Sequence, residues 1–334
     1  MYDKILVPLD GSALAEQVLP YVRPLAKALV ASIELLRTIP PVGLELAGPP
    51  PGPYPHRSGA NLQDQALDYL RSISGSLNDL GVSISYIVRQ GDPASWIIGE
   101  AEKEPGTLIA MSTHGRSGVA RWLLGSVTDK VLHATTTPLL IVRSSEPPNP
   151  VSEVQLKTMI VPLDGSVLAE QVLLHVAILA KVLDLEVKLV RVHPSVEEYS
   201  RYFERQQIGS AATVYSGPYE VFSREADARA MEYLHEVKVH LHRQGVWLVE
   251  ERLLRGHPAA TIADLAREIP GSLVAMTTHG RSGMGRWILG SVADRVIRHS
   301  GAPVLVVRSS EQLLRDVPAP ASLEINPQSL GGTL

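Results

Sequence analysis

The sequence predicts an α/β protein made of two tandem, five-stranded, mainly parallel, doubly wound sheets. Three observations predict it. The chain repeats itself, with 17 of 23 residues identical between Val7–Leu29 and Val161–Leu183 at an offset of 154. Each copy alternates short apolar runs with longer amphipathic ones, the pattern of strands joined by helices. The 334 residues, 45% of them apolar, are enough for two cores of ordinary size.

At Gly91 and Gly256, and again at Gly125 and Gly290, the offset is 165, so the second copy carries 11 extra residues, most of them between Arg191 and Met231. A repeat this long exceeds any solenoid unit, and each copy is expected to be a complete domain. The expected divisions are a first domain over 1–145, a linker over 146–156 in the proline-broken stretch "SSEPPNPVSEVQ", and a second domain over 157–311. A tail over 312–334 is rich in Pro, Ser and Gly, a composition that predicts disorder.

The elements follow in order. "KILVPL" and "TMIVPL" are apolar runs of strand length that open the two copies. "ALAEQVLPYVRPLAKAL" places apolar residues at helical spacing; Pro20 and Pro24 are expected to kink it, where the second copy has Leu174 and Ile178. "SIELLRTI" and "EVKLVRV" read as second strands. A long loop and a helix over about 62–80 or 226–244 lead to the third strands, "VSISYIVR" and "VWLVEERLL". Short helices begin in "GDPASWIIGEAE" and "GHPAATIADLARE", and "TLIAMST" and "SLVAMTT" are the fourth strands. After a glycine-rich loop, a helix starts near Ser126 or Ser291, and "PLLIVR" and "PVLVVR" close the copies. Right-handed crossovers wind such helices onto both faces of a parallel sheet.

Composition narrows the function. A net charge of -4, from 31 basic and 35 acidic residues spread along the chain, provides no basic stripe for nucleic acid. Without cysteine there are no disulfides or thiolate metal sites, which fits a reducing compartment. The opening "MYDKILVPLD" reads as a strand rather than a signal peptide. Arg23, Lys27, His175 and Lys181 interrupt the longest apolar runs before the ~18 residues that a membrane helix needs. The expectation is a cytoplasmic protein with neither nucleic acid nor membrane as partner.

In a doubly wound sheet, ligands bind at the carboxyl ends of the strands, where the strand order reverses. The first strands close on Pro8 and Asp10 with Gly11-Ser12 behind, and on Pro162 and Asp164 with Gly165-Ser166 behind. Helix capping alone accounts for Ser12 and Ser166 as well as ligand contact does. For Asp10 and Asp164 ligand contact is favoured, because a carboxylate at a strand end suits a ribose diol or a hydrated metal. The loops "MSTHGRSGVARWLLGSV" and "MTTHGRSGMGRWILGSV" run over 111–127 and 276–292. They bring Gly115, Gly118, Gly125 and Ser126, or Gly280, Gly283, Gly290 and Ser291, to a helix start, where backbone N–H groups and the positive helix end suit an anion. Arg116 and Arg121, repeated as Arg281 and Arg286, add positive charge. Neither G-x-G-x-x-G nor the Gly-Lys-Ser/Thr ending of a P-loop is present. His114 and His279 have no second His or carboxylate three or four residues on, so they are expected to shape the loop and not to bind a metal. Trp122 and Trp287 are expected in a core or interface. The long loops over 40–59 and 196–222, the second rich in aromatics, read as surface insertions or lids.

The paired blocks "VPLDGS" and "STHGRSG…LLGSV" resemble the universal stress protein family in a tandem form, over roughly residues 1–310. In the ATP-binding branch of that family the loop is G-x2-G-x9-G-[S/T]. Here it reads Ser112-x2-Gly115-x9-Gly125-Ser126 and Thr277-x2-Gly280-x9-Gly290-Ser291, with Ser or Thr in place of the first glycine. The resemblance implies a Rossmann-like, adenine nucleotide alpha hydrolase-like fold that binds ATP with Mg²⁺ or Mn²⁺. It implies Asp10 and Asp164 at the ribose, the backbone at Thr38 and Val192 at the adenine edge, and the phosphates among Gly115, Gly125, Ser126 and Val127 or Gly280, Gly290, Ser291 and Val292. Pro8, Ser112, His114, Arg116 and Gly118, with Pro162, Thr277, His279, Arg281 and Gly283, complete the two candidate sites. Pairing through the last strands is also implied, here as an intramolecular pseudo-dimer, with a homodimer as the alternative. The expected function is a nucleotide-dependent regulator of stress or energy state. The alternatives are an interaction module without nucleotide and, at most, a slow ATPase with Asp10 as the carboxylate placed to activate water.

Overall fold

A computed structural model describes residues 2–41, 59–113, 124–144, 154–195, 219–278 and 289–309. Most of the expected linker and the whole of the tail lie outside the described residues. The strands of the first half are β1 (Lys4–Pro8), β2 (Ser32–Ile39), β3 (Ile84–Gln90), β4 (Thr107–Ser112) and β5 (Leu139–Val142). Those of the second are β6 (Thr158–Pro162), β7 (Glu186–His193), β8 (Val249–Arg255), β9 (Ser272–Thr277) and β10 (Val304–Val307). All ten join in one sheet, in the order β3-β2-β1-β4-β5-β10-β9-β6-β7-β8.

Each half is thus a parallel five-stranded sheet, and the halves meet where β5 and β10 pair antiparallel, Leu140 opposite Leu305. The last strands therefore do pair within one molecule. The seam has a second tie: the Arg308 guanidinium donates to the backbone carbonyls of His133, Ala134 and Thr135, at the end of the first half's helix Ser126–Ala134. Those carbonyls have no partner within the helix, and a cation there also opposes the negative end of the helix dipole.

The alternation of side chains along the strands builds two cores. Ile5, Val7, Ile33 and Leu35, with Met159, Val161, Val187 and Leu189, face one layer of helices, among them Leu19–Leu29 and Leu173–Leu183. Leu6, Leu36, Ile109 and Met111, with Ile160, Val190, Val274 and Met276, face the other layer, among them Pro93–Ala101 and Pro258–Glu268. Strands β4 and β9 are buried at every position, as strands covered on both faces must be. No helix among the described residues is long and apolar enough to cross a membrane.

The expected proline kink is corrected by the second half. The first helix breaks into Ala13–Glu16 and Leu19–Leu29, and its proline-free counterpart breaks at the same place, into Val167–Glu170 and Leu173–Leu183. Tight i to i+3 bonds make the break, from the N–H groups of Gln17 and Val18 to Leu14 and Ala15 and from Gln171 and Val172 to Leu168 and Ala169. They turn the chain so that the fully buried Val18 and Val172 enter the core. Pro20 falls in the first turn of its helix, where no intrahelical N–H bond is needed. A second correction concerns the long loop of the second half. Its last residues, Tyr219 to Phe222, already belong to the helix Tyr219–Arg243, which starts seven residues earlier than expected.

Candidate functional site

Strand order reverses between β1 and β4 and between β6 and β9. At the carboxyl ends of each pair lies a cavity, about 520 Å³ in the first half and about 300 Å³ in the second. Both volumes lie in the range that holds small ligands.

In the first half, the chain leaves β1 at Asp10. Its Oδ1 accepts from the N–H of Ser12 at 2.9 Å and from the Ser12 hydroxyl at 2.6 Å. The same hydroxyl accepts from the N–H of Ala15 at 3.1 Å, so Ser12 caps the helix and holds the carboxylate at once. Asp164, Ser166 and Ala169 repeat these three bonds at 2.9, 2.6 and 3.1 Å. Capping and carboxylate placement are one arrangement, not rival readings.

Gly11 lets an arginine approach. Its φ is +84°, and a Cβ there would stand 2.9 Å from the guanidinium of Arg37. That guanidinium lies 4.7 Å from the centre of the Tyr69 ring, and the Tyr69 hydroxyl donates to Glu16 at 2.9 Å. Burial, and then the bond to Glu16, push the Tyr69 phenol well above its ordinary pKa. Gly165, Arg191 and Tyr233 form the same stack, with the guanidinium 5.3 Å from the ring. Arg37 lines the first cavity. Sequence reasoning missed it, although Arg37 and Arg191 stand at the repeat offset of 154 in "LLRTI" and "LVRVH". The duplication carried the signal, but a lone arginine inside a strand pattern attracts no notice until the fold sets it against Gly11.

The opposite wall is the start of the helix Ser126–Ala134. Gly125 is its N-cap, and no side chain caps it; the same holds for Gly290 before Ser291–His299. Ser126 and Ser291 are thus the first residues of their helices. The Gly125 N–H is committed to Thr113 at 2.7 Å and that of Gly290 to Thr278 at 2.8 Å, which pins each helix start beside the end of β4 or β9. The next N–H groups, of residues 126 to 128, have no acceptor within the helix and stand at its positive end, an arrangement that suits an anion. Thr128 adds a bond from its hydroxyl to the Ser112 carbonyl at 3.0 Å. Ser112 and Thr277, in place of a first glycine, end β4 and β9 with only 6% of their surface exposed.

The structure brings Pro8, Asp10, Thr38, Ser112, Gly125, Ser126 and Val127 to the first cavity, and Pro162, Asp164, Val192, Thr277, Gly290, Ser291 and Val292 to the second. His114, Gly115, Arg116, Gly118, Arg121 and Trp122, and their counterparts His279, Gly280, Arg281, Gly283, Arg286 and Trp287, lie outside the described residues. Among the described residues, no group of three or more His, Asp or Glu side chains could hold a metal ion.

Comparison with known proteins bears on this arrangement. A sequence model of the Universal stress protein family matches residues 1–143 and 155–308. A universal stress protein of Methanocaldococcus jannaschii is 32% identical over 146 residues, covering 43% of this chain and 83% of that protein. One of Mycolicibacterium smegmatis is 24% identical over 315 residues, 91% of this chain and 96% of its own. The crystal structure of a universal stress protein from Archaeoglobus fulgidus superposes with a TM-score of 0.63 at 22% identity, covering 93% of this chain and all of that one, and so shares the fold.

Proposed function

The chain belongs to the universal stress protein family, and from that premise we propose that it binds ATP, with Mg²⁺ or Mn²⁺, and acts as a nucleotide-dependent regulator of stress or energy state. One observation carries the proposal: the Asp10 carboxylate and the uncapped helix start at Gly125 to Val127 line one cavity at the point where strand order reverses. Asp10 would accept from the ribose hydroxyls, and the backbone at Thr38 would meet the adenine edge. The N–H groups that begin the helix Ser126–Ala134 would hold phosphate oxygens. Hydrophobic contact for the base comes from Ile39, Leu62 and Ile97. The divalent ion would ride on phosphate oxygens and water, as Mg²⁺ does at many nucleotide sites, without a cage of protein ligands. A cysteine-free chain fits a reducing cytoplasm.

Calorimetric titration of the full chain with Mg-ATP tests the proposal. Saturable binding is expected, weakened about tenfold or more in Asp10→Ala, which removes a charged acceptor. Gly125→Val, which adds a side chain to a residue that lines the cavity, is expected to weaken it in parallel. No saturable binding at millimolar ATP would defeat the reading.

A further inference from the structure

The two crevices share a backbone but not their far walls. At the ends of the paired strands, the Gly91 N–H donates to the Ile39 carbonyl at 3.1 Å and the Gly256 N–H to the His193 carbonyl at 2.9 Å. In register, Ile39 lies beside Gln90 and His193 beside Arg255. The helices behind them align through Tyr69 with Tyr233 and Leu70 with Leu234, which sets Leu62 against Ala226 and Gln63 against Asp227. The side chains at this corner therefore change from Ile39, Gln63 and Gln90 to His193, Asp227 and Arg255.

In the second half those three are bonded together. His193 Nδ1 lies 2.9 Å from Asp227 Oδ1, and Arg255 donates to the other carboxylate oxygen. The His193 and Asp227 side chains are only 15% and 26% exposed. In the first half the same corner carries no charge, with Ile39 5% exposed and Gln63 and Gln90 exposed. The cavities differ accordingly. Among the described residues, the first is lined by Thr38 and Ile39 of β2, by Pro40 and by Leu62, whereas the second is lined on β7 as far as Val192, and it is about 300 Å³ against 520 Å³.

Resting on the nucleotide reading above, we infer that His193, Asp227 and Arg255 determine specificity between the halves. They replace an uncharged corner at the base end of the crevice with an ion-paired one bonded within itself, so the first half is the nucleotide site of the chain. A purine gains by laying its rings against Ile39 and Leu62. Against the trio it would strip water from charges already bonded to one another, and would find Ala226 where Leu62 stands. The bonds that pin the helix starts, from Gly125 to Thr113 and from Gly290 to Thr278, are common to both halves, whereas the base end exchanges uncharged side chains for charged ones.

The experiment uses the full chain with Gly125→Val or Gly290→Val, each adding bulk at the helix start that lines one cavity, titrated with Mg-ATP. The Gly290→Val chain is expected to bind like the unmodified protein, and the Gly125→Val chain roughly tenfold or more weaker, the scale set by apolar contacts in a pocket. Exchanging His193→Ile, Asp227→Gln and Arg255→Gln in the Gly125→Val chain is expected to recover about tenfold. The reciprocal exchange, Ile39→His, Gln63→Asp and Gln90→Arg in the Gly290→Val chain, is expected to lose as much, and it reads the same idea should the first exchange fail to fold. Equal affinities in the two cradle variants, or affinities that neither exchange moves, would overturn the inference while leaving the nucleotide reading intact. Absence of binding in the unmodified chain would instead defeat that reading, and the inference with it.

Discussion

The Tyr2 hydroxyl donates to Nδ1 of His175 at 2.6 Å, joining the segment ahead of β1 to the helix Leu173–Leu183 of the other half. Burial pushes the Tyr2 phenol far up, so it keeps its proton and acts as donor. Burial, and then the charge of the chain's N-terminus, push His175 down from 6.5 to about 4. A neutral imidazole accepts at Nδ1; a protonated one cannot.

The sign of the pH effect follows. With a folded-state pKa below the unfolded one, the unfolded chain binds more protons between pH 6.5 and about 4. The contribution is complete above pH 6.5 and is lost progressively as pH falls through that window, to a total of up to about 3 kcal/mol. Urea unfolding at pH 7, 5.5 and 4.5 measures it. His175→Phe is expected to be less stable at pH 7 but to show a flatter slope, and an unchanged slope would contradict the assignment.

Val30 ends the helix Leu19–Leu29 in the left-handed region, with φ 54° and ψ 35°, while 80% exposed. A β-branched side chain in that conformation is strained by about 1–2 kcal/mol, and exposure leaves little packing in return. Val30→Gly is therefore expected to raise stability by about 1 kcal/mol, read as a higher urea midpoint. The second half already has a more tolerant residue there, Asp184 at φ 52°.

Thr128 is 3% exposed and its hydroxyl ties the first cradle to β4, whereas Ala293 occupies the matching place in the second. Thr128→Val leaves the Ser112 carbonyl without that donor and is expected to cost about 1–2 kcal/mol. It is also expected to weaken ATP binding at the first half. Thermal unfolding and titration with Mg-ATP check the two effects.

Leu305 is 1% exposed and sits at the seam, beside Leu140 of β5 and Ala275 of β9. Leu305→Ala is expected to cost about 2–5 kcal/mol. Because the sheet and both cores run through the two halves, calorimetry should show one transition moving down as a unit. Two transitions with one unmoved would show that the halves unfold independently.

Much of this protein was legible from local patterns. The duplication, the alternation of strands and helices, the strand ends at Asp10 and Asp164 and the helix starts at Gly125 and Gly290 all lie within short stretches of chain. Their periodicity or repetition states the structure directly, because alternation along a strand and spacing along a helix are properties of neighbours. The break after Glu16 was not legible because its cause, the seating of Val18 in the core, lies outside the helix. The helix start at Tyr219 was missed because the aromatics before it read equally well as loop.

The sequence by itself determined the two-fold α/β plan and the strand ends and helix starts, at Asp10 and Gly125, that meet at the crevice of β1 and β4. Only the tertiary structure decided that the two sheets are one, that Arg37 stacks on Tyr69 against Gly11, that Arg308 caps a helix of the other half, and that His193, Asp227 and Arg255 meet. The physical reason is distance along the chain. Each of these contacts joins segments that lie 26 to 175 residues apart and on separate elements, with repeat offsets of 154, 164 and 165 that slip between elements. No local period records such a meeting, and the packed sheet alone brings those side chains within reach.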